Sequence, residues 1–121
     1  MDTARHAAEL LSPLFHGLLE EAVAVLHLDG DRQVLAVMQF DGEARSAELP
    51  IRRIVEEALR LGSAALVLAH NHPSGAPSPS KDDLAVTRRL AQVAEPLGIR
   101  LHDHLIFAGS HCLSLRGLGL L

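Results

Sequence analysis

Two histidines one residue apart, His70 and His72, end an apolar run, and Asp83 follows eleven positions after His72. Two neutral imidazoles and a carboxylate suit a divalent ion of borderline softness. Three such ligands with a fourth position left for water make a catalytic zinc site, here one per chain. The same donors accept other divalent ions as well. The spacing supports convergence. Side chains at i and i+2 of a strand project to the same side. The chain between them and Asp83 contains Pro73, Gly75, Pro77 and Pro79. The prolines reduce the freedom lost on folding, and Gly75 permits a turn that other residues resist. A helix starting near Lys81 then returns Asp83 in its first turn.

Each part has a plainer reading. Ser80 and Asp83 form S-x-x-D ahead of an apolar helix, a variant of the capping box. Capping and chemistry need not exclude each other. His70-Asn71-His72 by itself also reads as a polar strand end, and Asn71, on the opposite face, supports the loop. What favours a metal is that both histidines and a helix-start carboxylate converge through one short loop. His102 and His104 make a second i, i+2 pair on one strand face, with Asp103 between them on the other. No third ligand has suitable spacing, so a hydrogen-bonding or solvent-facing role is expected. His27, inside an apolar strand, reads as a hydrogen-bonded core histidine. Cys112 reads as a buried, inert thiol.

The elements that must hold these residues follow from periodicity and punctuation. Residues 3–21 read as helical, either two short helices or one broken at Pro13. The runs 23–29 and 33–40, joined through Gly30-Asp31, predict a hairpin whose strands are largely buried on both faces. Asp41-Gly42 marks a further turn. Ile51, Ile54, Val55 and Ala58 have amphipathic helical spacing, opened by Pro50 and stopped at Gly62. Residues 64–69 predict a central strand with both faces covered. Val86, Leu90, Val93 and Leu97 predict the buried stripe of the helix from Lys81, which Pro96 ends and Gly98 closes. Residues 99–109 and 110–119 give a final strand pair. Helices alternating with strands over one apolar sheet predict an α/β or α+β sandwich.

The chain has 121 residues, 48% of them apolar and 21% charged, enough for one domain with a real core. A net charge of −4 and an aromatic content of 2% argue against direct nucleic-acid binding, which uses dense positive charge and stacking platforms. One cysteine among 121 residues excludes an internal disulfide and any Cys₄ or Cys₂His₂ zinc site. No apolar run is long enough to span a membrane. The first residues lack the pattern of a secretion signal, so a soluble cytoplasmic protein is expected.

The segment LAHNHPSGAPSPSKDD resembles the signature of the JAMM/MPN metalloprotease superfamily, most closely its RadC-like bacterial group. VLHLDGDRQVL, FDGEARSAELPIRRIVEEAL and GIRLHDHLIFAGSHCLSLRGLGLL extend the likeness over about residues 20–121. The resemblance implies a short helical segment over 1–20 and a RadC-like JAB/MPN domain over 21–121. Its fold would be a mixed β-sheet flanked by helices, laid out like the zinc deaminases. It implies His70, His72 and Asp83 as zinc ligands, Ser80 as hydrogen-bond donor to an oxyanion, a supporting role behind the metal at the matching positions Asp103 and His104, and a glutamate before the first strand as general base. Glu21 matches that position, and the adjacent Glu20 is not separated from it by pattern. A surface pair at a helix end is the plainer reading of both. The implied reaction is hydrolysis of a peptide or isopeptide bond. Three departures stand out, one of them the helix that ends near Pro96. RadC-like proteins usually carry a helix-hairpin-helix segment ahead of the domain, where this chain has about 20 residues. Glu43 stands where a threonine often follows the glycine.

A nucleoside or base deaminase needs H-x-E and P-C-x-x-C, which are absent. A rival from another class is a non-catalytic binding module associated with DNA repair or recombination. Direct DNA binding would gain weight if Arg52, Arg53, Arg88 and Arg89 formed one patch; on their helices they read as solvated faces.

Overall fold

The computed structural model describes residues 3–40 and 49–121. The turn read at Asp41-Gly42 and the departure at Glu43 lie outside them. Helix α1 (Thr3–Phe15) is followed by strands β1 (Val23–Leu28) and β2 (Val34–Phe40), helix α2 (Ile51–Leu61) and strand β3 (Ala65–His72). Helix α3 (Lys81–Ala94), a single 3-10 turn (Glu95–Leu97) and strands β4 (Arg100–Ala108) and β5 (His111–Ser114) complete the order. The five strands form one sheet in the order β2-β1-β3-β4-β5. Among the described residues, β3 and β4 are the one parallel pair and the other pairs are antiparallel. The mixed sheet with flanking helices is the predicted α+β class.

Strand alternation divides the core into two layers. Val23, Val25, Leu66, Leu68 and Leu101 pack with Ile54, Ala58, Val86 and Leu90 of α2 and α3. Ala24, Leu26, Val67, Ala69 and Leu105 pack on the other face with Ala7, Leu11 and Phe15 of α1. Helix α1 is thus a layer of the sandwich. It is one helix, with Pro13 confined to its last turn.

The hairpin differs from expectation in its second strand. Every residue of β1 is buried, whereas Val34, Leu35 and Val37 of β2 are exposed. The two apolar runs look alike, but β1 lies between two neighbours and β2 is the sheet edge, a distinction set by topology. The stripe of α3 also differs. Its buried residues are Asp83, Val86, Thr87, Leu90 and Ala94, while Val93 and Leu97 are exposed. Two polar side chains on the buried face, both hydrogen-bonded, hid this stripe from a reading based on apolar spacing.

A bulge in β4 decides where its histidines go. Leu101 pairs with Leu66 and Asp103 with Val67, so His102 is inserted without a partner. The extra residue shifts the alternation. His104, paired with Leu68, therefore joins Leu101 on the α2/α3 side, and Asp103 goes with Val67 to the opposite face.

Candidate metal centre

Strand β3 extends through both histidines, so His70 and His72 continue the face carried by Leu66 and Leu68 and meet the start of α3. His70 Nε2 lies 3.0 Å from Asp83 Oδ1, and His72 Nε2 lies 3.1 Å from Asp83 Oδ2. The two Nε2 atoms are 3.1 Å apart. Ligands about 2.0–2.1 Å from a tetrahedral zinc are separated from one another by about 3.3 Å. The two Nε2 atoms are therefore within a few tenths of an ångström of ligand spacing, and each has one oxygen of the Asp83 carboxylate at a similar distance.

Local structure fixes each group. The turn at Gly75, whose φ is 79°, is closed by its N–H donating to the His72 carbonyl at 2.9 Å. That turn brings the Ala76 carbonyl 3.0 Å from His72 Nδ1. A carbonyl only accepts, so Nδ1 carries a proton and Nε2 is the nitrogen left to face Asp83 or a bound ion. Asp83 completes a capping box: Ser80 Oγ accepts the Asp83 N–H at 3.0 Å, and Asp83 Oδ2 accepts the Ser80 N–H at 2.7 Å. The Ser80 hydroxyl proton is not used by this box, and the residue is exposed. Burial pushes the Asp83 carboxyl up, but hydrogen bonds from His70 and from the Ser80 backbone outweigh it and hold the group well below the usual carboxylate range. Ionised Asp83 thus brings a negative charge to a nearly dry site, where a proton on His70 or a metal cation can balance it.

Glu21 faces this cluster. Its carboxylate, His70 and His72 can bring one ligand atom each within 4.8 Å of one another. Asn71, buried on the opposite face of β3, explains why: its Oδ1 accepts the Ala22 N–H at 2.7 Å, and its Nδ2 donates to the Glu20 carbonyl at 3.1 Å. Asn71 therefore holds the peptides on both sides of Glu21 rather than the loop. Glu20 meets it through backbone. An apolar recess between Val23, Leu49, Leu68 and Val86 opens beside Glu21 and His70.

Two residues behind the centre escaped the sequence reading as a pair. His104 Nε2 lies 2.7 Å from His70 Nδ1, and His104 Nδ1 lies 2.5 Å from Thr87 Oγ1. The signal for Thr87 was a polar residue one helical turn after Asp83. His102 does not pair with His104; it is half-buried, and burial, with Arg116 and Arg100 nearby, lowers its pKa. Asp103 is fully buried and accepts from the His104 N–H, the Ser114 hydroxyl and the Arg116 N–H, tying β4 to the C-terminal turn. His27 is the expected core histidine, 2.9 Å from Ser63 Oγ through Nδ1 and 3.1 Å from Met38 Sδ through Nε2. Cys112 corrects its expectation: it is exposed, because β5 is the short second edge of the sheet. Arg52 pairs with Glu56, and Arg53 lies over the Phe40 ring. Among the described residues no helix is long and apolar enough to cross a membrane.

Comparison with known proteins agrees with this architecture. A UPF0758 protein of Acidithiobacillus ferrooxidans is 40% identical over 120 residues, 98% of this chain and 54% of its own length. A UPF0758 protein of Bordetella avium is 43% identical over 112 residues, 92% of this chain and 49% of its own length. The UPF0758 protein YkfG of Escherichia coli is 40% identical over 121 residues, 98% of this chain and 77% of its own length. The chain thus spans about half the length of the first two. Residues 1–120 match the profile of the RadC-like JAB domain, α1 included. The chain belongs to the RadC-like JAB domain family.

Proposed function

We propose that the chain is a zinc-dependent metallohydrolase acting on a peptide or isopeptide bond. The observation that carries this reading is the meeting of His70 Nε2, His72 Nε2 and the Asp83 carboxylate at 3.0–3.1 Å. His70, His72 and Asp83 would hold the ion. Zinc bound there would acidify a water molecule towards a pKa of about 7 and polarise the scissile carbonyl.

The remaining steps belong to the chain's own side chains. Glu21, on the open side of the cluster, takes a proton from the attacking water and delivers it to the leaving amine. Ser80 keeps its hydroxyl proton while its oxygen caps α3, and donates it to the oxygen on which negative charge develops. A donor of this kind contributes on the order of 3 kcal/mol at comparable sites. The recess lined by Val23, Leu49, Leu68 and Val86 excludes water next to the reacting carbonyl, which strengthens both effects.

Metal content is the first test, measured by inductively coupled plasma mass spectrometry on protein purified without a histidine tag or chelator. About one zinc per chain, lost in both His72→Ala and Asp83→Ala, supports the site. Cleavage by wild type of a peptide or isopeptide library, abolished by those substitutions, supports the activity. Failure of wild type to take up added zinc would overturn the reading and leave a binding module.

A further inference from the structure

Behind the proposed ligands lies a chain of hydrogen bonds that begins and ends on them. Thr87 Oγ1 is 2.6 Å from the Asp83 carbonyl oxygen. The carbonyl can only accept, so the hydroxyl proton lies on that contact. Thr87 Oγ1 then has only a lone pair to offer His104 Nδ1, 2.5 Å away, and that nitrogen must carry a proton. His104 is 1% exposed and, among the described residues, has no carboxylate as a hydrogen-bond partner. A second proton would bury an uncompensated cation, so the ring is neutral and its Nε2 is an acceptor. Across the 2.7 Å contact, His70 Nδ1 must be the donor. His70 Nε2, the atom that faces Asp83 and His72, is then the nitrogen left either to donate to the Asp83 carboxylate or to meet a metal ion.

We propose that Thr87 and His104 are positioning residues that fix the tautomer of His70, and thereby set its Nε2 as a metal ligand. The inference rests on the metallohydrolase reading and deepens it. The circuit runs from His70 through His104 and Thr87 to the backbone of Asp83, whose side chain returns to His70. Two ligands from different elements are thus locked to one another through β4 and α3. The β4 bulge makes this possible, since it turns His104 onto the α3 side. Reversing the Thr87 bond would reverse every donor in the series, make His70 Nδ1 an acceptor and leave the ring's only proton on Nε2, where it would compete with a metal.

The experiment combines imidazole ¹⁵N spectra of metal-free protein with zinc affinity measured by chelator competition. In wild type, His104 should be the neutral Nδ1–H tautomer, with His70 protonated at Nδ1. Thr87→Val conserves shape but removes the hydroxyl. It should weaken zinc binding about 10–100-fold, the usual effect of losing a partner behind a metal ligand. Thr87→Ser should restore it. A metal-free wild type in which His104 carries its proton on Nε2 would overturn the relay. So would a folded Thr87→Val protein with undiminished zinc affinity. A wild type that binds no zinc would overturn the metal reading instead, while its spectra would still decide the tautomer.

Discussion

Asn71 holds Ala22 across the sheet: its side-chain oxygen accepts the Ala22 N–H at 2.7 Å, while its amide donates to the Glu20 carbonyl at 3.1 Å. The residue between those two peptides is Glu21, which faces the histidines. A side chain pointing away from the metal centre thus sets the position of the proposed base. Asn71→Ala should lower turnover by up to about 100-fold through misplacement of that carboxylate. Zinc content should stay at the wild-type level, because no ligand is touched. Parallel metal analysis and cleavage assays check this; a variant that loses zinc would mean that Asn71 supports β3 as a whole.

Glu21 and Glu20 make opposite predictions. Glu21→Gln should retain zinc and lose turnover by about 10²–10⁴-fold, the usual contribution of a positioned proton acceptor. Glu20→Gln should leave turnover near wild type, since Glu20 enters the network through its carbonyl. Full activity in Glu21→Gln would move the base elsewhere.

The meeting of His70, His72 and Asp83 was legible because its signal is local: H-x-H at a strand end and a carboxylate at a helix start are both readable from a few neighbouring residues. The capping box around Ser80 and Asp83 was legible for the same reason. The edge position of β2 was not, since Val34, Leu35 and Val37 resemble the buried residues of β1 and only the strand order separates them. Nor was the link from His104 to Thr87, although the resemblance implied a supporting role for His104. It depends on a bulge that arises where β4 pairs with β3, between segments more than 30 residues apart. The stripe of α3 was misplaced because Thr87 is buried for its hydrogen bonds, a reason that apolar periodicity does not register.

Stability should depend on pH through His27 in a predictable direction. Burial lowers its pKa from 6.5, partly opposed by Glu57. The unfolded chain therefore binds a proton that the folded one refuses. The neutral ring's contribution is complete above pH 6.5 and is lost as pH falls below it, down to the lowered folded value. One such histidine gives a slope of at most about 1.4 kcal/mol per pH unit. His104, also shifted down by burial and by His70, adds in the same direction. Denaturant titrations of metal-free protein from pH 7 to 5 should show stability falling with acidification, and His27→Gln should reduce the slope. An unchanged slope in that variant would mean that His27 is protonated within the fold.

Gly75 offers a test of how the loop places a ligand. Its φ of 79° is one that a residue with a Cβ resists, although nothing within 4 Å would clash with that carbon. Gly75→Ala should therefore strain the backbone alone, at a cost of about 1–2 kcal/mol. Relief of that strain would shift the Ala76 carbonyl and weaken its bond to His72 Nδ1, now 3.0 Å. His72 would then be free to move its proton to Nε2, where it competes with the metal. The expected result is a zinc affinity reduced about tenfold, in line with the loss of one partner behind a ligand. The ratio between variant and wild type should stay the same as pH changes, because moving a proton between the two ring nitrogens takes none from solution. Chelator competition at two pH values checks both. Equal affinity in the variant and wild type at both would show that His72 is oriented without help from the Ala76 carbonyl.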